Sequence, residues 1–301
     1  MKLAAIDLGT NTFHLIIAEQ NATDLQVVFR TNEPVKLGED ITLANTIIPK
    51  AFDRGINCLK KFKSIIDQYE VDHLRAVATS GVRSAKNGLL FVEKVKDETG
   101  INIEVIDGDE EAQYIYDGVK LSGAIKAKSL IMDIGGGSTE FILCDEENLI
   151  WKKSYNIGAA RLAQRFFNSD PITDEDLNSL IEHIAEELKA LKIISDEYGP
   201  TILIGSAGAF ESYVNMISPA IDITQLATSE INYDDYRALS YVLIQSTHQE
   251  RLVMPGLIPL RVDMIVMASI LTNYILDELQ IKNIRLSTYD LKMGLLQHLK
   301  N

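Results

Sequence analysis

The chain has 301 residues, 46 % hydrophobic and 24 % charged, with a net charge of −14. That is too long for one ordinary core and, at about 150 residues per domain, suggests two globular domains rather than a disordered chain. The acidic surplus argues against nucleic acid or an anionic membrane held by bulk charge, so an anionic ligand needs local devices.

Ala4 to Asp7 and Phe13 to Ala18 read as two strands around the polar turn Leu8-Gly9-Thr10-Asn11-Thr12. The carboxylate at Asp7 leaves no apolar stretch for a secretory leader. Leu25 to Phe29 reads as a third strand. Phe52, Ile56, Leu59, Phe62, Ile66 and Tyr69 then recur at helical steps, with Pro49 near the start. Leu74 to Ala78 is a short strand running into Thr79-Ser80-Gly81, followed by a helix that ends at Gly100. A strand around Ile103 to Ile106 and a helix over 110–119 complete a βαβ-type pattern.

Near Gly123 the pattern starts again. Ser129 to Asp133 is an apolar run, Ile134-Gly135-Gly136-Gly137-Ser138-Thr139 a turn, and Glu140 to Cys144 the next strand. Strand, aspartate, glycine turn with hydroxyls and outgoing strand thus occur twice. Thr173 is expected to cap a helix, with Asp176 closing a capping box, and Leu177, Leu180, Ile181, Ile184, Leu188 and Leu191 give one apolar face. Thr201 to Ile204 is a strand ending in Gly205-Ser206-Ala207-Gly208. Val262 to Leu279 reads as a buried helix whose longest apolar run, Met264 to Leu276, is too short to span a bilayer. A strand over Ile284 to Leu286 and a helix over 290–299 close the chain. Cys58 and Cys144 make no disulfide framework, so a reducing cytoplasm is the expected setting.

Glycine turns between strands expose consecutive N–H groups that can cradle phosphate oxygens, and neighbouring hydroxyls add donors. An aspartate at the strand end before such a turn can hold a divalent cation or orient water. Two copies of the device, with Gly205-Ser206-Ala207-Gly208 as a third small-residue turn, favour a phosphate ligand. No P-loop or dinucleotide fingerprint is present, and the five histidines show no metal-ligand spacing. Taken alone, Glu110 and Glu111 are ordinary acids of a helix start, and Arg83 is an ordinary surface or ion-pair cation; Arg161, Arg261 and Lys36 read first as surface cations, with an anion contact as the alternative for each.

The two turn segments, Ile6 to Leu15 and Asp133 to Glu140, resemble the phosphate motifs of the exopolyphosphatase / guanosine-pentaphosphate phosphatase family. So do Ala78-Thr79-Ser80-Gly81-Val82-Arg83-Ser84-Ala85-Lys86-Asn87 and Ile106-Asp107-Gly108-Asp109-Glu110-Glu111-Ala112. Downstream, Asn156 to Leu162, Gly205 to Gly208 and Ser287 to Leu291 follow in the family's order, so the resemblance covers the whole chain. It implies an α/β fold of two ribonuclease-H-like (actin-like ATPase) lobes with an interlobe cleft. The lobes are expected over 1–123 and 124–301, with the helix over 290–301 packing back on the first.

The implied activity is release of terminal orthophosphate from inorganic polyphosphate or guanosine pentaphosphate with Mg²⁺ or another divalent cation. Glu111 would be the base, Glu140 its assistant, and Asp133 and Asp7 the cation ligands. Phosphates would be held by Gly9, Thr10, Asn11, Thr12, Thr79, Ser80, Arg83, Gly135, Gly136, Gly137, Ser138, Gly205, Ser206, Gly208 and Arg261. A homodimer is expected, with no nucleic-acid or membrane partner. Gly81-Val82, Ser206, Ala209 and Lys292-Met293 depart from the family's usual residues and leave substrate preference open. A same-fold ATP-dependent kinase and a sensor that binds without turnover are the rival readings; a phosphorylated acceptor or binding without phosphate release would mark them.

Overall fold

The structure is a computed structural model that describes residues 1–21, 25–39, 45–206 and 208–300. Its chain divides into two compact units, Met1–Gly118 with the C-terminal stretch from Leu291, and Val119–Asp290. The first unit is built on β1 (Lys2–Leu8), β2 (Thr12–Gln20), β3 (Leu25–Pro34), β4 (His73–Ala78) and β5 (Ile103–Val105), in the order β3-β2-β1-β4-β5. The first three strands are antiparallel, and β4 and β5 run parallel to β1. Leu3, Ala4, Ala5 and Ile6 of β1 are fully buried, the run expected of a central strand covered on both faces. At the sheet edge β3 carries exposed polar residues.

Helix α1 (Pro49–Gln68) starts with proline in its first turn and buries Ile56, Leu59, Phe62 and Ile66. The short α2 (Ser80–Arg83) follows β4, and α3 (Gly88–Thr99) stops at Gly100, whose φ of +73° supplies the left-handed cap. After β5 comes α4 (Gly108–Ser122).

The second unit repeats the plan with β6 (Ser129–Ile134), β7 (Thr139–Cys144), β8 (Leu149–Tyr155), β9 (Ile202–Ser206), β10 (Thr228–Ile231) and β11 (Asn283–Ser287). Read outward from β8, the order β8-β7-β6-β9-β11 reproduces that of the first sheet, and β10 adds an antiparallel edge beside β11. Each unit therefore has the ribonuclease-H-like arrangement. Helices α5 (Ala159–Phe166), α6 (Asp174–Glu187), α7 (Lys189–Tyr198), α8 (Gly208–Ile217), α9 (Tyr233–Gln245), α10 (His248–Leu252) and α11 (Ile265–Glu278) surround the sheet. Phe141, Tyr155, Phe210, Tyr213, Tyr236 and the buried length of α11 form its core. The last helix, α12 (Leu291–Lys300), packs against β1 of the first unit.

Three local expectations are corrected. The apolar face from Leu177 to Leu191 belongs to two helices, α6 and α7, broken at Leu188. Thr173 does cap α6 by accepting from Asp176 N, but the Asp176 carboxylate accepts from Asn168 Nδ2, so the box stays half formed. A complete capping box stands instead at Thr247 and Glu250. Finally, α11 begins at Ile265 because a 3₁₀ turn occupies Pro259–Arg261.

Candidate active site

In the first unit, the turn from Gly9 to Thr12 joins β1 to β2 at the carboxyl end of the parallel strands, the end where α/β sheets bind ligands. Gly9 N donates to Thr12 O at 3.2 Å, and a Cβ on Gly9 would lie 2.9 Å from that same oxygen. The turn's carbonyls are tied back: Lys36 N donates to Asn11 O at 2.7 Å and Gly38 N to Thr10 O at 2.8 Å. Thr10 N has no backbone acceptor among the described residues. Beside the turn, Thr79 N and Oγ1 both donate to Leu8 O, and Gly81 of α2 lies so close that a Cβ there would come within 2.9 Å of Thr10 Cα. The buried hydroxyls of Thr12 and Ser80 have no hydrogen-bond partner among the described residues. Such orphans cost free energy unless a ligand or water satisfies them.

The same end of this sheet carries the acid of the Glu-Glu pair. Asp107 caps α4, its Oδ1 accepting from Asp109 N and Glu110 N, while Glu110 Oε2 returns to Asp107 N. Glu110 is thereby spent on an exposed capping box. Glu111 instead is 7 % exposed, and its Oε2 accepts from Arg83 Nη1 at 2.9 Å. The same Nη1 donates to Ile106 O at 2.9 Å, which fixes the arginine to the end of the sheet.

In the second unit the turn from Gly135 to Ser138 repeats the geometry. Gly135 N donates to Ser138 O at 3.0 Å, and a Cβ on Gly135 would stand 3.0 Å from that oxygen. Here α5 ties the carbonyls back: Ala159 N donates to Gly135 O, Ala160 N and Arg161 N to Gly136 O, and Arg161 Nε to Gly137 O. Gly158 permits this approach, since its Cβ would lie 2.5 Å from the backbone of Gly136 and Gly137. The N–H groups of Gly136 and Gly137 reach no backbone acceptor among the described residues. Peptide planes whose carbonyls are held on one side present their N–H groups on the other, which is the form of an anion cradle.

Asp133 and Glu140 face each other in the β6–β7 register, as Asp7 and His14 do in β1–β2. Glu140 is 1 % exposed and accepts from Ser154 Oγ at 2.7 Å. Asp133 pairs in register with Ser206 of β9, whose buried hydroxyl is a third orphan, and Ser206 pairs with Ser287 of β11. Gly205 is a glycine for packing, because the Phe210 ring would lie 1.9 Å from its Cβ. Ala207 lies outside the described residues. Gly208 has φ +48°, and the Arg261 guanidinium lies against it, with Nη1 and Nη2 each 3.3 Å from where a Cβ would be. Burial pushes the Arg261 pKa down against the pull of Glu211, Asp133 and Asp290.

The sequence marks the segments holding Gly158 and Gly81 but not their contacts with Gly136–Gly137 and Thr10, and it does not mark Ser154 at all; each depends on which strand or helix lies alongside, which no local pattern encodes. No group of three or more His, Cys, Asp or Glu residues suited to a metal occurs among the described residues. Asp133 with the orphaned Ser206 hydroxyl nonetheless offers the hard-oxygen, few-carboxylate donor set that suits Mg²⁺, which keeps several waters and leans on substrate phosphates. No helix among the described residues is long and apolar enough to cross a membrane.

Residues 16–300 match the Ppx/GppA phosphatase family. A bifunctional 3-dehydroquinate synthase/phosphatase of Fusobacterium nucleatum is 34 % identical over 91 % of this chain, which spans only 43 % of that protein. A putative exopolyphosphatase of Haemophilus influenzae is 29 % identical over 99 % of the chain and 91 % of its own length. Among solved structures, an exopolyphosphatase from Cytophaga hutchinsonii is 36 % identical, with TM-score 0.96 over 100 % of this chain and 98 % of its own.

Proposed function

The chain belongs to the Ppx/GppA phosphatase family of phosphoanhydride hydrolases, and from that premise we propose that it releases orthophosphate from the end of inorganic polyphosphate. The observation that carries this reading is the duplicated turn with its carbonyls tied back, flanked by the buried hydroxyls of Thr12, Ser80 and Ser206, which have no partner among the described residues. Two proteins that this chain spans almost end to end are named for exopolyphosphatase, which supports the polymer over a nucleotide.

Phosphoryl transfer asks the protein mainly for positioning and charge. Water's oxygen bonds the terminal phosphorus, Glu111 takes its proton, and the bridging oxygen leaves with the shortened chain. Arg83 orients Glu111 through the 2.9 Å bond and adds positive charge beside the anion. Glu140, aimed by Ser154, orients the water. Backbone N–H groups from Gly9 to Thr12 and from Gly135 to Ser138 hold non-bridging oxygens, with Thr79, Ser80, Ser206, Gly208 and Arg261 at their edges. Asp133, with Asp7 as the weaker candidate, would hold a divalent cation, which when bound neutralises charge on the phosphates. The reaction belongs to a reducing cytoplasm in this reading.

The test is phosphate release with Mg²⁺ from medium-chain polyphosphate, guanosine pentaphosphate and ATP side by side. Release fastest from polyphosphate is expected. Preference for guanosine pentaphosphate would transfer the assignment to the nucleotide, and a phosphorylated acceptor formed from ATP would make the chain a kinase. Binding without release from any of the three would leave a sensor.

A further inference from the structure

Arg161 is partly buried in the first turn of α5 and grips the second glycine turn twice. Its main-chain N–H donates to Gly136 O and its Nε to Gly137 O, each at 3.0 Å. Neither Nη donates to any described residue, and no carboxylate among the described residues pairs with it. Its peers differ: Arg54, Arg75, Arg83, Arg237, Arg251 and Arg285 each have an Asp or Glu partner. Arg261, which lies against Gly208, feels Glu211, Asp133 and Asp290. In a chain with 43 acidic residues, one half-withdrawn guanidinium without an acid stands out.

A brace for the turn requires only one N–H, which a neutral amide could supply. Withdrawing a charge from water without a counter-ion is costly, and burial accordingly pushes the Arg161 pKa down with no acid to oppose it. An acid at this place would compete with an anionic ligand for the same donors. We infer that Arg161 binds a phosphate group of the substrate at the second turn, its Nε fixing the Gly137 carbonyl and its two Nη groups taking the oxygens of one phosphate. The inference rests on the phosphohydrolase reading for the identity of the anion, and it adds a cation to the cradle. Arginine suits the double task because its planar fork can donate to a carbonyl and a phosphate together, whereas lysine offers only a point charge.

The experiment separates binding from turnover. Inorganic tripolyphosphate is titrated calorimetrically into the parent protein, R161K and R161Q at low and high salt, all carrying Glu111→Gln so that nothing is hydrolysed. Steady-state rates on polyphosphate are measured in the same three proteins with Glu111 intact. R161Q should bind about 10- to 100-fold more weakly at low salt, with a flatter salt dependence, and should raise KM with little change in kcat. R161K should fall between. Should R161Q bind tripolyphosphate as tightly as the parent and with the same salt dependence, Arg161 is a brace only and the inference fails. It fails equally if the folded R161K matches the parent at both salts while R161Q merely unfolds, since the fork would then be unnecessary. A parent protein that binds tripolyphosphate through Arg161 but releases no phosphate would sink the proposed activity and leave this contact standing.

Discussion

Glu110 and Glu111 are adjacent, alike and differently employed. Either acid suits a helix start, where the macrodipole favours negative charge whatever the function, so local sequence does not separate them. The fold does: Glu110 closes the cap on Asp107, while Glu111 turns inward to Arg83, 28 residues away in sequence. Replacing Glu111 with Gln keeps an oxygen for Arg83 Nη1, so the fold and the anion-binding groups should survive. With Glu111 as the proposed base, the substitution should lower kcat about 10²- to 10⁴-fold while leaving KM close to the parent value. Near-normal kcat in E111Q, read from phosphate release, would remove Glu111 from the role of base. Glu140 was equally hard to read, because a carboxylate on a strand normally faces solvent. Its burial and its bond from Ser154 follow from β8 pairing alongside β7.

Among the elements, both glycine turns were legible because each interrupts an apolar strand with a glycine, hydroxyls and a preceding aspartate. Their anchoring was not. One turn is tied by the tight turn at Lys36 and Gly38, the other by the start of α5, so the same backbone task is done by unlike sequences. Helical periodicity likewise ran unbroken from Leu177 to Leu191 and hid the break at Leu188, where the residue spacing fits two helices as well as one. β8 went unread because Lys152, Lys153 and Ser154 dilute its apolar alternation at the sheet edge. The tie to α5 makes a sharp prediction at Gly158. A methyl there would meet the main chain of Gly136 and Gly137 at 2.5 Å, and backbone yields less readily than a side-chain tip. Gly158→Ala should therefore shift the second turn, destabilise the protein by about 1–3 kcal/mol and lower kcat/KM for polyphosphate at least tenfold. Unchanged kcat/KM with an unchanged melting temperature would mean that α5 simply moves aside.

The two units share a strand order but not a core, and the difference should appear in alkali. The second unit encloses its phenols: burial pushes Tyr155 and Tyr213 up to about 12, and Tyr236 well above its ordinary value. The Tyr213 and Tyr236 rings meet edge to face with centroids 5.0 Å apart, and Tyr213 shares a 3.2 Å hydrogen bond with Ser269 of α11. Neutral in the folded chain, these groups ionise near pH 10 once unfolded, so above that pH the unfolded state binds fewer protons and stability falls as pH rises. For Tyr213 alone the loss is about 2 kcal/mol by pH 12. Below pH 10 the contribution is intact. The buried thiols of Cys58 and Cys144, both pushed up to about 12, add one such group to each unit and cancel in the comparison. The phenols therefore decide which unit yields first. Hydrogen exchange followed from pH 9 to pH 12 should show protection in β6 and β9 collapsing before protection in β1 and β4, alongside the rise of tyrosinate absorbance. Simultaneous loss in all four strands would mean that the chain opens as one cooperative body and that the phenol core does not set its alkaline limit.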